Sequence, residues 1–542
     1  MNRSTSIGKA WLGAALAVIA LICVRPALAQ MGVVSITGGR VAGVRSGAVT
    51  AFKGIPFAAP PLGDLRWRLP QPVKPWSATL QADHFGPPCM QGGRRPGASS
   101  SASEDCLYLN VWTAAKSKEA RLPVMVWIYG GAYTGGSASL PAYDGTHFAE
   151  KGVVLVSFNY RLGAFGFLAD QDLAAESPHH VSGNYGLADM IAALRWVKAN
   201  IGRFGGDASR VTIFGESAGA MSVGILSVSP AARGLFQRAI SESGGAPLLP
   251  VKPAGESYTA EAAFLSLRSA EDRGRGFLTQ LGVQDIAAAR KLPAEAILKA
   301  QTGIGPVYDG YFVPADAYQR FRAGHFNDTP ILVGTNANEG GFRPIRAEFA
   351  GTTPEKFEAH VRAAYGQYAD QILAAYPHAT APQAEQASQD LFFRETAFAW
   401  KSWTWSRLQS EKGHGKAYLY YFDRRSSQEP FGPIHTEEIP FVFGNVGQTP
   451  PRGFEPPGPL SAADVRLSQQ IQSYWVNFAK TGDPNGQDLP RWPAFSASSQ
   501  QAMYLDADPA PHAGLVPNLN QLTVLDAYFR WLRDAQPKQR PN

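Results

Sequence analysis

The stretch Val211–Gly219, which reads VTIFGESAG, decides the fold of this chain. Its opening residues VTIF are apolar or β-branched and predict a short buried strand. The run Ala218–Val228, which reads AGAMSVGILSV, is compatible with a helix. G-x-S-x-G between a strand and a helix indicates a sharp turn that lifts a serine hydroxyl off the end of a sheet. The pattern therefore predicts that Ser217 is a nucleophile at a helix N-terminus.

Apolar runs on both sides of this turn predict further strands. These runs are Val124–Tyr129, Val153–Tyr160, Ile331–Thr335 and Tyr418–Phe422. They are apolar on both faces, as the central strands of a covered parallel sheet are. Helical periodicity lies between strands, at Leu187–Ile201 and Ala463–Lys480. The alternation predicts an α/β fold with a mainly parallel central sheet covered by helices on both faces.

Length and composition limit the class of protein. The chain has 542 residues, of which 45% are hydrophobic and 17% charged. This balance excludes a disordered or low-complexity protein. At ~150 residues per domain, the length by itself suggests three or four domains. However, no break in composition divides the chain after its N-terminal segment, so we expect a single domain with large insertions over residues 30–542.

Residues 1–29 have the pattern of a secretory signal peptide. Arg3 and Lys9 precede an apolar run from Trp11 to Val24, and an Ala-Leu-Ala sequence ends at Ala29. The run is shorter than the ~20 residues that a membrane-spanning helix needs. We therefore expect a secreted or periplasmic protein that is cleaved after Ala29 and has no stable membrane anchor. An uncleaved anchor is the alternative.

Cleavage changes both the charge and the cysteine count. It removes three basic and no acidic residues, so the formal net charge falls from +6 to +3. The remaining charges form no basic stripe with interleaved aromatics, and no nucleic-acid partner is predicted. Without Cys23, two cysteines remain, Cys89 and Cys106, and an oxidising compartment predicts that they pair. No Cys/His cluster has the spacing of a zinc site, so no metal is expected.

A serine that attacks a carbonyl carbon also needs amide groups that bind the resulting oxyanion. The strand Val124–Tyr129 is followed by Gly130-Gly131-Ala132, whose small side chains let backbone amides approach a substrate oxygen. Ala218, directly after the nucleophile, supplies another amide. A plain glycine turn is the alternative interpretation, and the order of the two motifs along the chain argues against it.

These motifs resemble those of the type-B carboxylesterases, a family with the α/β-hydrolase fold that includes bacterial para-nitrobenzyl esterases and cholinesterases. The resemblance extends over nearly the whole chain after residue 29. It includes GIPF at 54–57, APPLGDLRWR at 59–68, EDCLYLN at 104–110, NYR at 159–161, FGGD at 204–207 and VTIFGESAG.

The resemblance implies the rest of the catalytic site. Glu339, in GTNANEGGF, corresponds to the acid of the family's catalytic triad, and His435, in GPIHTEEIPFVFG, to its general base. The family's oxyanion-hole positions fall on Gly131, Ala132 and Ala218. The implied protein is a serine carboxylesterase that hydrolyses small-molecule esters through an acyl-enzyme, without a cofactor.

The resemblance also assigns supporting roles to several residues. Glu216 and Ser243 are expected to form a buried layer beside the catalytic histidine. The pair Cys89–Cys106 matches the family's N-terminal disulfide. The expected structural ion pairs are Arg66–Glu104 and Arg161–Asp189.

The segment between the two cysteines bears on the substrate. Cholinesterases have an aromatic residue there that binds a cationic substrate, whereas this segment has no aromatic residue and contains Arg94 and Arg95. Phe342 and Arg343 follow Glu339 at positions that line the family's gorge. The three arginines lead to the hypothesis that the substrate is an ester with a free carboxylate. The alternative is that the loop arginines are solvated and Arg343 pairs with an internal acid.

Two other functions compete with a carboxylesterase. Some relatives of this fold have lost the nucleophile and act as binding modules. A lipase, feruloyl esterase or amidase would use the same triad. The sequence predicts no oligomeric state.

Overall fold

The computed structural model describes residues 32–92, 102–249, 264–300, 305–314, 317–341, 343–425, 431–446 and 461–535. The predicted signal peptide lies outside the described residues.

The strands, in chain order, are β1 (Val33–Ile36), β2 (Gly39–Ser46), β3 (Val49–Pro56), β4 (Thr79–Ala82), β5 (Tyr108–Thr113), β6 (Leu122–Ile128), β7 (Val154–Phe158), β8 (Gly206–Glu216), β9 (Arg238–Glu242), β10 (Leu265–Ser266), β11 (Val307–Tyr308), β12 (Ile331–Asn336), β13 (Ala417–Phe422), β14 (Gln501–Leu505) and β15 (His512–Leu515).

The α-helices are α1 (Thr146–Glu150), α2 (Gly163–Phe167), α3 (Gln171–Glu176), α4 (Tyr185–Asn200), α5 (Ala218–Val228), α6 (Leu267–Gln280), α7 (Ile286–Arg290), α8 (Ala294–Lys299), α9 (Ala317–Arg322), α10 (Arg343–Phe349), α11 (Pro354–Tyr365), α12 (Ala369–Ala375), α13 (Ala381–Gln389), α14 (Trp400–Lys412), α15 (Ile439–Phe443), α16 (Ala462–Thr481) and α17 (Leu519–Ala535). A π-helix, Asp390–Ala399, joins α13 to α14.

A mixed, mainly parallel sheet organises the molecule. Its strand order is β1-β2-β3-β5-β7-β6-β8-β9-β12-β13-β14-β15, with β4 beside β2. Each adjacent pair from β7 to β14 is parallel, and the pairs toward both ends of this order are antiparallel. Parallel strands bring their carboxyl ends to one edge of the sheet, where ligands bind in folds of this kind. Helices flank the sheet, as the sequence predicts.

The central strands are buried because both faces are covered. Every residue of β7, β12 and β13 is buried. All of α5 is buried as well, directly behind the predicted nucleophile. Within the described ranges, no helix has the length and apolar character needed to cross a membrane.

Candidate active site

The turn between β8 and α5 holds Ser217 in a strained conformation. Its backbone angles are φ 55° and ψ −122°, a region that non-glycine residues rarely occupy. The Ser217 amide donates a hydrogen bond to the carbonyl of Glu242, at the end of β9, over 2.9 Å. A side chain at Gly219 would overlap the carbonyl oxygen of Ile128, at the end of β6. The small residues of the motif therefore let the turn pack onto the neighbouring strand.

Glu339, His435 and Ser217 form a continuous chain of hydrogen bonds. The distance from Glu339 Oε2 to His435 Nδ1 is 2.6 Å, and that from His435 Nε2 to Ser217 Oγ is 2.9 Å. The other oxygen of Glu339, Oε1, accepts the amide of Asn336 over 2.8 Å. With the Nδ1 proton directed at the carboxylate, Nε2 is free to accept the serine proton.

The loop that carries His435 is fixed to the loop that carries Glu339. Asn338 and Ile434 form an isolated parallel bridge. The side-chain amide of Asn336, the last residue of β12, donates to the Ile434 carbonyl over 2.9 Å. These contacts bring the acid and the histidine together, although the two loops follow different strands, β12 and β13.

The carboxyl groups around His435 favour the positively charged imidazolium over the neutral imidazole. Burial lowers the pKa of His435, but the carboxylates of Glu216 and Glu339 outweigh that effect and raise the pKa to about 9. Oε1 of Glu216 lies 3.2 Å from His435 Nε2. Negative charge beside the ring stabilises the imidazolium that forms when a base accepts a proton.

The loop after β6 lies against the nucleophile. A side chain at Gly130 would come within 2.9 Å of Ser217 Cβ. Gly131 has φ 118°, a conformation that favours glycine, and Ala132 has φ 54°. The Gly131 carbonyl accepts the amides of Thr134 and Gly135 over 3.0 and 3.1 Å. The structure thus brings the loop of Gly131 and Ala132 beside Ser217.

Ala218 is the first residue of α5. The first amides of a helix have no partner within the helix, and the first backbone bond here is donated by Met221 to the Ser217 carbonyl over 2.8 Å. The Ala218 amide is therefore directed out of the helix end at which Ser217 lies, as an oxyanion donor must be.

Further buried carboxyl groups lie behind the site and were not found by sequence reasoning. Burial raises the pKa of Glu242, and the Glu438 carboxylate raises it further. Burial, followed by the charge of Glu339, raises the pKa of Glu438 to about 7. Glu242 accepts the indole N–H of Trp475 over 2.8 Å. The only local signal for Glu438 is its position three residues after His435.

Other predicted site residues are located as follows. Glu216, at the end of β8, is buried beside His435, and burial raises its pKa well above the usual range. Ser243 is fully buried after β9, and its hydroxyl has no hydrogen-bond partner among the described residues, so its predicted role stays a prediction. Arg343 begins α10, and its side chain lies outside the described atoms. Phe342, Arg94 and Arg95 lie outside the described residues.

The predicted covalent and ionic links are confirmed. Cys89 and Cys106 form a disulfide with an S–S distance of 2.04 Å. The Arg66–Glu104 pair has a shortest distance of 2.6 Å, and the Arg161–Asp189 pair 2.7 Å. Within the described part of the chain, no three His, Cys, Asp or Glu residues are arranged to hold a metal ion.

Comparisons with known proteins place this chain in a family. The model of the carboxylesterase family matches residues 30–521. The chain is 38% identical over 474 residues to the fumonisin B1 esterase of Sphingopyxis macrogoltabida, and the aligned region covers 84% of this chain and 83% of that protein. It is 35% identical over 481 residues to the para-nitrobenzyl esterase of Bacillus subtilis strain 168, covering 87% and 94% respectively. A solved structure of the Geobacillus stearothermophilus carboxylesterase Est55 matches with a TM-score of 0.79 and 32% identity, covering 91% of this chain and 99% of that one.

Proposed function

We propose that Ser217, His435 and Glu339 are the catalytic triad of this chain. The premise is that the chain belongs to the carboxylesterase family, shares its α/β-hydrolase fold and hydrolyses carboxylic esters. The observation that carries the proposal is the hydrogen-bonded chain from Glu339 Oε2 to His435 Nδ1, 2.6 Å, and from His435 Nε2 to Ser217 Oγ, 2.9 Å. The substrate is a small-molecule ester.

The reaction proceeds in two halves. His435 Nε2 takes the Ser217 proton while Oγ bonds to the ester carbonyl carbon. The amides of Gly131, Ala132 and Ala218 bind the oxyanion. The carbon–oxygen bond to the alcohol then breaks, and His435 gives its proton to the departing oxygen. A water molecule repeats the sequence on the acyl-enzyme and releases the acid, while Glu339 holds the imidazole and stabilises its charged form.

The triad is tested by covalent labelling and by a matched pair of serine variants. We expect a phosphonate probe to add to Ser217 alone, as mapped by mass spectrometry, and Ser217→Ala to remove both labelling and para-nitrophenyl acetate hydrolysis. Ser227→Ala is the control, because Ser227 is a buried serine of α5, the helix that follows Ser217, and its hydroxyl donates to the Val223 carbonyl over 2.8 Å. A wild-type protein that is not labelled would be the non-catalytic binding module.

The alternative enzyme activities differ in the acyl chain and in the leaving group of their substrates. A lipase, a feruloyl esterase and an amidase use the same triad, so they are separated by substrates and not by the site. A panel of esters of increasing acyl length, with a feruloyl ester and a matched anilide, measures kcat/KM for each class. We expect a higher kcat/KM for the esters than for the matched anilide, because the chain belongs to the carboxylesterase family; a preference for long acyl chains or for the feruloyl ester would identify a lipase or a feruloyl esterase.

We further propose a preference for esters that carry a free carboxylate. Its support is the position of Arg343, which begins α10 four residues after Glu339, together with Arg94 and Arg95 in the sequence. The expected result is a higher kcat/KM for a carboxylated ester than for its neutral analogue, with the ratio reduced by Arg343→Ala. Arg346→Ala, on the exposed face of the same helix, is the control. Equal kcat/KM for both esters in the wild type would end the proposal.

We also propose that the protein is exported to the periplasm or the extracellular medium. The support is the signal-peptide pattern of residues 1–29, the disulfide and the start of the family match at residue 30. Expression of the full-length gene product in a Gram-negative host is expected to give a periplasmic or extracellular protein whose first residue is Gln30. A protein recovered with its full mass in the membrane fraction would be an uncleaved anchor instead.

A further inference from the structure

One helical segment beside the histidine departs from regular geometry. The helices α13 and α14 are continuous through the π-helix Asp390–Ala399. The amide of Trp400 bonds to the carbonyl of Glu395, five residues earlier. The Thr396 hydroxyl likewise donates to the Leu391 carbonyl, five residues back, over 2.6 Å. π-Helices are rare, are usually a single turn long and often mark functional sites.

The π-helix presents two aromatic rings to His435. The Phe398 ring stacks on the imidazole, with centroids 5.0 Å apart and an interplanar angle of 16°. The Phe393 ring meets the imidazole edge-on, at 6.0 Å and 82°. Both phenylalanines are buried. The imidazole is therefore bounded by hydrogen bonds at both nitrogens and by an aromatic ring on one face.

The spacing of these two residues explains the unusual helix. Phe393 and Phe398 are five residues apart, and in an α-helix such residues diverge by about 140° around the axis. A helix with i to i+5 hydrogen bonds brings them to the same side. A regular α-helix here would direct one of the two rings away from His435.

Buried charges tie the same segment to the loop of the acid. Arg394 donates to the Ala337 carbonyl, two residues before Glu339, over 2.9 Å. Its guanidinium also pairs with Asp390 over 3.0 Å and with Glu395 over 2.5 Å. The two ion pairs lie within the π-helix and hold the guanidinium in place, and its bond to Ala337 joins the helix to the loop of the acid. The π-helix thus contacts both the histidine and the loop of the acid.

We propose that Phe398 is a positioning residue for the general base His435, and that the π-helix exists here because it brings Phe398 and Phe393 onto the imidazole together. This inference rests on the proposed catalytic role of His435. The stacked ring keeps the imidazole plane in line with Glu339 and Ser217. The negative face of the Phe398 ring also favours the imidazolium over the neutral ring.

The effect of the ring adds to that of the carboxyl groups around the histidine. Glu216 lies at the end of β8, Glu339 follows β12, and Glu438 follows His435 on its own loop. Each of these three carboxyl groups favours the imidazolium when it is ionised. Their positions do not depend on Phe398. Removing the ring is therefore expected to lower the pKa of His435 without removing the influence of the carboxylates.

The experiment compares Phe398→Leu with Phe321→Leu. Phe321 is a fully buried phenylalanine that contacts Phe326 and Trp405, so it reproduces the cost of removing a buried ring. For Phe398→Leu we expect kcat to fall about tenfold with little change in KM, and the apparent pKa of kcat/KM to fall by about half a unit. Phe321→Leu is expected to keep the wild-type kcat and pH profile.

A series of fluorinated phenylalanines at position 398 separates positioning from folding. Fluorination keeps the ring and its shape but weakens the negative face, so the apparent pKa is expected to fall stepwise with each added fluorine. This series decides the matter if Phe398→Leu fails to fold. An unchanged pKa across the series, or identical kcat and pH profiles for the two leucine variants, would overturn the inference. Wild-type labelling by the phosphonate is measured in parallel, because its absence would instead refute the triad.

Discussion

At the scale of single residues, the site depends on one histidine held between an acid and a serine. The hydrogen bonds at Nδ1 and Nε2 of His435 determine which nitrogen carries the proton and which accepts one. The carboxylates around the ring make the charged imidazole more stable than it is in water. Changes of single carboxyl groups should therefore alter the pH dependence of the reaction as well as its rate.

Glu339→Gln is expected to lower kcat by about 10³- to 10⁴-fold, because an amide no longer holds the required tautomer or stabilises the imidazolium. The wild-type kcat/KM rises as pH increases through the His435 pKa, which lies above the ordinary 6.5. Loss of the Glu339 charge moves that midpoint to lower pH. The measurement is the pH profile of para-nitrophenyl acetate hydrolysis, and an unshifted midpoint would contradict the assignment.

Glu242→Gln is expected to stabilise the protein increasingly as pH rises. Burial raises the Glu242 pKa, so the folded state holds a proton that the unfolded state releases above its own pKa near 4.5. The folded state then binds more protons, and the free energy of unfolding falls with rising pH. Glutamine removes this dependence and keeps an oxygen for Trp475. Urea unfolding at several pH values measures how the free energy of unfolding depends on pH. Glu411→Gln, at an exposed position, is the control, and it is expected to keep the wild-type pH dependence.

At the scale of elements, the ends of parallel strands create the site. Ser217 follows β8, the Gly131–Ala132 loop follows the adjacent β6, and Glu339 follows β12. Each loop is short and packed against its neighbour, so the backbone has little room for added atoms.

Gly219→Ala tests the close packing of the turn on β6. The new methyl group would overlap the backbone carbonyl of Ile128, which has no side-chain freedom to move aside. We expect stability to fall by about 1–3 kcal/mol and kcat to fall more than the stability loss explains. Gly202→Ala is the control, because nothing lies within 4 Å of its added methyl group. Equal melting temperatures for the two variants would refute the packing argument.

Asp189→Asn tests the buried pair between α4 and the segment after β7. The side chains of Arg161 and Asp189 are 4% and 0% exposed, so the substitution leaves an uncompensated guanidinium in the interior. We expect a loss of about 3–5 kcal/mol in chemical denaturation. Asp370→Asn breaks the pair with Arg362, whose side chains are 56% and 83% exposed, and is expected to change stability by less than about 1 kcal/mol.

At the scale of the whole molecule, one large sheet supports segments that lie far apart in the chain. The disulfide Cys89–Cys106 closes a loop across 17 positions of sequence. Replacing both cysteines by serine is expected to lower stability by about 2–4 kcal/mol, because the unfolded chain gains freedom. The readout is thermal unfolding with and without reductant. Reductant should lower the melting temperature of the wild type and leave that of the double variant unchanged.

Much of the central fold could be predicted from the sequence because the signals are local. The continuous apolar runs that became β6, β7, β12 and β13 are typical of strands covered on both faces. The antiparallel strands β1 and β2 are partly exposed and lack such runs. The π-helix was not predicted either, since its geometry depends on contacts with His435 and Ala337 and not on a helical period.

The sequence by itself determined the turn that presents Ser217, the proposed nucleophile, because a strand, a small-residue turn and a helix around it are specified by neighbouring residues. It did not distinguish His435 from nine other histidines by composition, and that assignment came from a family resemblance. Only the tertiary structure decided that His435, 218 positions from Ser217, lies within hydrogen-bond distance of it. The same holds for Glu242, Glu438 and Phe398. Their roles arise from burial and proximity, which chain segments acquire only when the sheet brings their ends together.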